Sequence, residues 1–349
     1  MKLKESNFKS GVYGAVEEME FTVDTSSSVI FDILRDKMYT NKIAAVCREV
    51  SSNSRDANIE NGKSDVPIEI MVVEPFELDS ISNKSIVFKD SGLGITPDRM
   101  ADVFIKYAAS TKRGSNDEVG GFGLGAKTPF AYSDTFTVIT VCDVPEEETG
   151  VEKRMKFTYT AMIDDTQRGK MVLFDSEETE DETGTQIVVP FDDNDRYNFE
   201  KEIHRATSLW EVKPVLKGMY YDFEDLSVVI QDEDYQILYD KEQFFYSKVL
   251  LIIEGIPYNL DGGLFPDNKI AHGISESYPI AVHFKTGEIE VSANREGVHY
   301  TEEVKATIAE KLAKVETQIE SQIIEYIRVG DDYLESCIRV GEMVQANQY

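Results

Sequence analysis

Glu49, Asn53 and Asp56 are the residues of this chain whose types and spacing best suit chemistry. They fall at i, i+4 and i+7, so on a helix they project within roughly 60° of one another. An amide oxygen can ligate a hard cation, and a carboxylate can orient a water molecule for attack. No basic residue aligned with the three is there to pair them. Ile43, Val46, Val50 and Ala57 form an apolar stripe on another face, as an amphipathic helix requires. Taken alone, the pattern fits a solvated polar face equally well.

Two glycine-rich segments downstream weigh toward a ligand site. Asp90-Ser91-Gly92-Leu93-Gly94 places a carboxylate at the end of a strand, followed by residues that let backbone approach a ligand. An aspartate buried there can accept a hydrogen bond from an exocyclic amine such as that of adenine. Such turns are common, and this one is weak evidence by itself. Gly120-Gly121-Phe122-Gly123-Leu124-Gly125-Ala126-Lys127-Thr128 sets four glycines ahead of a helix, exposing backbone N–H groups to an anion. It is not a P-loop, because Ala126 separates Gly125 from Lys127 and the preceding Thr111–Glu118 is polar throughout. A dinucleotide fingerprint fails for want of a preceding strand.

The elements that must position these residues follow from periodicity. Tyr39-Thr40-Asn41 opens the helix bearing Glu49, and Ser26–Ser28 can cap a helix through Leu34. Strands are expected at Pro67–Val73, Ser85–Lys89, Thr135–Val141, Met155–Met162, Met171–Phe174 and Thr185–Val189. Helical spacing marks Asp98–Ala109, Ala126–Tyr132 and Asn194–Trp210, the last as a bridge to a second unit. The acidic run Glu177–Glu182 reads as a solvated hairpin tip. Later strands are expected at Leu226–Ile230, Lys248–Ile253, Ile280–Phe284 and Glu288–Ser292. A long helix follows, with Val304, Ile308, Leu312, Val315, Ile319, Ile323 and Ile327 three or four apart, a stripe suited to core packing. Helices and strands followed by consecutive strands predict an α+β sandwich rather than a doubly wound parallel sheet.

Length and composition bound the function. At 349 residues the chain predicts more than one domain. A net charge of −29 repels nucleic acid and anionic lipid, so direct DNA binding is not expected. No apolar run is long enough for a transmembrane segment, and the N-terminus lacks the apolar core of a secretory signal. Cys47, Cys142 and Cys337 are widely spaced, which suits a reduced, cytoplasmic protein.

The three segments in order, E-x-x-x-N-x-x-D, D-x-G-x-G and G-G-x-G-x-G, resemble the GHKL ATPases (gyrase, heat-shock chaperone, histidine kinase, MutL), and Gly184-Thr185-Gln186-Ile187 is similar to that family's late G-T strand. The resemblance implies a Bergerat-fold α/β sandwich over residues 1–192 with an N-terminal arm at 1–22. A smaller transducer-like α/β domain over 193–300 and C-terminal helices over 301–349 complete the expected division. The finer texture, Y-T-N-K-I-A-A-V-C-R-E-V with G-A-K-T-P-F-A-Y-S-D-T-F and G-T-Q-I-V-V-P, resembles the rIIA lysis-inhibition proteins of large tailed phages, which are longer.

The resemblance implies ATP and magnesium as ligands and assigns roles residue by residue. Glu49 would be the general base, Asn53 the magnesium ligand, and Asp56 a support for the nucleotide. Asp90 would bind the adenine amine with help from Thr185, while Gly92 and Gly94 make room for the base. Gly121, Gly123 and Gly125, with Phe122 and Leu124 between them, would present N–H groups to the phosphates, and Lys127 could contact phosphate or be an exposed helix residue. Lys112 resembles the lid cation of MutL-type members. Arg295, in V-S-A-N-R-E, resembles the chaperone branch's arginine that reaches the γ-phosphate, the alternative being a surface salt bridge with Glu296 or its neighbours. No phosphoacceptor helix or DNA-cleaving region is visible, which disfavours a histidine kinase or a complete topoisomerase. The expected function is slow magnesium-dependent ATP hydrolysis driving a switch that homodimerises on ATP binding, in an rIIA-like lysis-inhibition or host-interaction role with a phage or host protein partner. The alternatives are a nucleotide sensor that does not hydrolyse and an acidic inhibitor of a host factor.

Overall fold

The computed structural model describes residues 35, 37–75, 83–105, 125–146, 151–273, 276–292 and 294–328. The expected arm at 1–22, the helix ending at Leu34 and the loop Thr111–Glu118 lie outside them. The chain divides into two compact units. The first holds the described residues up to Asp225 with Glu254–Ile256 and Val291–Gly297, and the second holds Leu226–Ile253, Pro257–Glu290 and the described residues from Val298 onward.

The first unit is built on a seven-stranded sheet in the order β5-β4-β3-β6-β2-β1-β7. Its strands are β1 (Glu69–Val73), β2 (Ser85–Lys89), β3 (Thr135–Pro145), β4 (Glu152–Ile163), β5 (Gly169–Glu178), β6 (Gly184–Pro190) and β7 (Val215–Lys217). Only β7, beside β1, pairs in parallel; the other neighbours are antiparallel, which gives the expected α+β class. Helix α1 (Lys42–Glu60) begins where the Asn41 side chain accepts the Ala44 N–H, satisfying one of the donors a helix start leaves open. Its Val46, Cys47 and Val50 pack on Ile70, Ile86 and Phe88 of the sheet and on Phe199 and Ile203 of α2 (Arg196–Thr207). Each such side chain contributes about 1.5–3 kcal/mol on full burial, so this cluster seats α1 firmly.

Helix α2 therefore does not bridge to a second unit. Phe199, Ile203 and Trp210 belong to the core beneath α1, so the expected boundary at 192 falls inside the first unit. The acidic run Glu177–Glu182 is not a hairpin tip either. It leads from β5 to β6, which β4 and β3 separate, and its exposed carboxylates ride on a crossover.

The second unit has a five-stranded sheet, β11-β10-β12-β9-β8, formed by β8 (Leu226–Gln231), β9 (Tyr235–Asp240), β10 (Val249–Ile253), β11 (Ile256–Asn259) and β12 (Ile280–Phe284). Strand β10 is buried along its whole length and lies parallel to β12. The mixed apolar and polar patterns of β7, β9 and β11 gave no alternation by which to expect them. The expected strand at Glu288–Ser292 is absent, because Gly287 takes a left-handed φ of 79° and the Glu288 carboxylate caps the Lys285 N–H, closing a turn. Helix α3 (Glu302–Arg328) buries Val304, Ile308, Leu312, Val315 and Ile319, as core packing requires. Asp234 anchors it, accepting from Lys311 at 2.6 Å, Lys314 at 2.5 Å and Gln318 at 3.0 Å.

Leu312 is fully buried, so Leu312→Ala should destabilise by about 2–5 kcal/mol in urea denaturation. The exposed control Glu310→Ala on the same helix should stay within about 0.5 kcal/mol.

Candidate functional site

Glu49 lies buried midway along α1 and is doubly paired. Arg48 Nε donates to its Oε1 at 3.1 Å, and Arg295 Nη1 donates to its Oε2 at 3.0 Å. The absence of a pairing base, expected from the helix pattern, is thus overturned. Adjacent helix residues do not face each other, which hides Arg48, and Arg295 is 246 positions away. Two guanidinium groups converge on this one carboxylate, with the Glu296 carboxylate close by on the loop that carries Arg295.

Arg295 is held in place rather than merely present. Its φ of 54° is a left-handed conformation that is costly for a residue with a Cβ and persists only when its surroundings impose it. Arg295 N–H donates to the Ser292 carbonyl at 2.8 Å, and Ser292 N–H donates to the Gly297 carbonyl at 2.8 Å. Glu296 accepts the Thr40 and Asn41 N–H groups at the start of α1, at 2.8 and 2.9 Å. Asn294 donates to the Met38 carbonyl and receives Arg48 Nη2 at its own carbonyl, each at 3.0 Å. Arg295 is therefore no surface salt bridge to Glu296; Glu296 is instead one of the groups that seat its loop.

Asn53, one turn on from Glu49, is half-buried, and Asp56 is buried beside Arg55. Gly125 comes so close to this face that a Cβ there would stand 2.8 Å from Glu49 Oε2 and 3.4 Å from Asn53 Nδ2. The end of the second glycine segment and the acid–amide face of α1 therefore meet, as expected. Lys127 is not an exposed helix residue. It is buried, its Nζ donates to the Val103 carbonyl at 3.4 Å, and burial pulls its pKa down to about 8. Lys112, Gly121, Phe122, Gly123 and Leu124 lie outside the described residues.

A second cluster forms at the other end of α1. Asp90 is buried, and its Oδ1 accepts the Gly92 N–H at 2.9 Å and the Thr185 N–H at 3.0 Å. Burial pushes its pKa up to about 7, against the lowering effect of those two N–H donors. Thr185 is tied to β3 through its hydroxyl, 3.3 Å from that of Thr140. Gly94, at φ 76°, would put a Cβ 2.1 Å from the Val141 carbonyl oxygen, so its lack of a side chain admits strand β3.

Residues 40–185 match the family described as histidine kinase-, DNA gyrase B-, and HSP90-like ATPase. This stretch of the first unit is thus similar to the GHKL-type ATPases. The chain is 25% identical over 228 residues to the chaperone protein HtpG of Mycolicibacterium vanbaalenii, a match covering 60% of this chain and 32% of that protein. It is 25% identical over 234 residues to HtpG of Rhodococcus jostii, with the same two shares of 60% and 32%. It is 30% identical over 161 residues to the mitochondrial TNF receptor-associated protein 1 homolog of Dictyostelium discoideum, covering 41% of this chain and 22% of that protein. The chain thus spans about a third or less of the length of these relatives. Among the described residues, no helix is long and apolar enough to cross a membrane.

Breaking a buried ion pair costs about 3–5 kcal/mol, and Arg48 remains on Glu49 when Arg295 is removed, so Arg295→Ala should lose about 3 kcal/mol in chemical denaturation. A double variant Glu49→Gln/Arg295→Ala should lose little more than the single ones, since both probe one interaction.

Proposed function

We propose that the first unit binds ATP with magnesium and hydrolyses it slowly to ADP and phosphate, acting as a conformational switch. The observation that carries this reading is the placement of Glu49 and Asn53 near the middle of α1 and of a buried, backbone-clamped Asp90 against its last turns. Glu49 and Ala57, against which the Asp90 turn rests, are separated along the helix by about 12 Å, a span suited to a nucleoside triphosphate.

In this reading Asp90 accepts the adenine amine. Its Oδ1 is taken by two N–H groups, and among the described residues no donor is paired with Oδ2. The residues fit magnesium carried in by the triphosphate: Asn53 offers one neutral oxygen, and no cluster of three His, Cys, Asp or Glu stands among the described residues. When bound, the cation would neutralise charge on the phosphates. Glu49 orients a water whose oxygen attacks the γ-phosphorus; the bond to the bridging oxygen of ADP breaks, and the water proton passes to the carboxylate. Glu49 acts only once an arginine withdraws from it, and Arg295 is the one whose charge the γ-phosphate can draw away. Asp56 supports the nucleotide through its neighbour Arg55.

A nucleotide sensor without turnover is the second reading, favoured by the occupation of both Glu49 oxygens by arginines. The words chaperone protein in the names of the two HtpG relatives support a chaperone-like switch; we extend that reading to homodimerisation on ATP binding, with the second unit as transducer. The narrower rIIA-like role rests on the segments quoted above, with the partner a phage or host protein in the cytoplasm of an infected cell.

Phosphate release separates the two readings. Hydrolysis should fall about 100-fold or more in Glu49→Gln while ATP still binds; a wild type that binds and never releases phosphate is a sensor. Affinity should also depend on pH. Below about 7 Asp90 is protonated and offers the adenine amine a poorer acceptor, so calorimetric affinity should rise between pH 6 and 8 and level above. Asp90→Asn should abolish that rise, apart from the ligand's own titration. The raised pKa also makes this group's contribution to stability fall as pH climbs from about 4, the unfolded value, through 7.

A further inference from the structure

The Asp90 turn is gripped from behind by two amides that no role above uses. Asn58, buried at 2% exposure on the last turns of α1, accepts the Ser91 N–H on its Oδ1 at 2.6 Å. Its Nδ2 donates to the Val66 carbonyl at 2.9 Å, so both ends of the amide are committed and its orientation is fixed. Asn61, the residue that ends α1, donates from Nδ2 to the Ser91 carbonyl at 2.8 Å. Both sides of the Ser91 residue's backbone are thus tied to one helix. The turn is also pressed against that helix: a Cβ on Gly92 would come within 2.8 Å of Ala57 Cβ.

We propose that Asn58 and Asn61 are positioning residues that set nucleobase selectivity, by clasping Ser91 so that Asp90 presents a fixed acceptor at a fixed distance from Asn53. This inference rests on the ATP-binding reading. The clasp acts on base choice for a geometric reason. Asp90 Oδ1 is locked by the Gly92 and Thr185 N–H groups, and Gly92 is the residue directly after Ser91. Loosening Ser91 frees Gly92, and the carboxylate can then rotate. A fixed carboxylate accepts from adenine's amine and repels the carbonyl that guanine carries at the corresponding position. A rotating one discriminates less. The phosphates, held near the middle of α1, are not affected by such a change.

The test uses the full chain and three probes, Mg–ATP, Mg–GTP and Mg–tripolyphosphate, each measured by calorimetry. The wild type should prefer ATP. Asn58→Ala should lower the ATP-to-GTP affinity ratio about tenfold, equivalent to about 1.4 kcal/mol, and leave tripolyphosphate affinity within about twofold. Asn58→Asp keeps the acceptor for Ser91 and should retain most of the ratio. Asn61→Ala removes a single, half-exposed contact and should lower the ratio about threefold; it reads the same effect if Asn58→Ala does not fold. A ratio unchanged in variants that fold and bind, or an equal loss for all three probes, overturns the clasp while leaving ATP binding intact. A wild type that binds tripolyphosphate but no ATP, or neither, overturns the parent reading and this inference with it.

Discussion

A carboxylate taken out of water between two guanidinium groups is the constraint on which the first unit depends. Burying Glu49 alone would be prohibitive, and Arg48 and Arg295 make it tolerable. That pairing dictates the company the site keeps. The loop carrying Arg295 must be fixed in a left-handed conformation, so Ser292, Asn294, Glu296 and Gly297 are recruited to hold it. Gly125 must lack a side chain to approach the same carboxylate.

Helix α1 turns this local constraint into a measured distance. Its apolar residues are seated by the sheet and by α2, leaving it little freedom to slide or tilt. Its polar residues then act at fixed heights: Glu49 and Asn53 near the middle, Asp56 a turn later, Asn58 and Asn61 at the end. The Asp90 turn is attached to that last part by hydrogen bonds to Ser91. Glu49, Asn53 and the Asp90 turn are thereby held at set distances from one another by one rigid element. The second unit is organised differently, around a fully buried β10 and a helix anchored by Asp234.

The legible part of this protein was what repeats or contrasts along the chain. Strand β2 was expected at its observed limits, since Ser85–Lys89 is apolar and ends in a glycine turn. The start of α1 was readable because Asn41 caps it locally. The face of Glu49, Asn53 and Asp56 was readable because helical spacing is a property of short sequence. By contrast, β7, β9 and β11 carry too little alternation to stand out, and Glu288–Ser292 has the alternation but is closed into a turn by its own side chain.

The amino-acid order by itself determined the class of fold, the acid–amide helix face, the carboxylate before the glycine turn and the family these point to, because each is written in residues within a dozen positions of one another. Tertiary structure alone decided that Glu49 is neutralised by Arg295, that Lys127 is buried against Val103, that α2 belongs to the first core, and that Asn58 holds Ser91. Those facts depend on which distant segments share a low-dielectric interior, where an unpaired charge or amide is costly. Spacing along the chain carries no record of who the partner is.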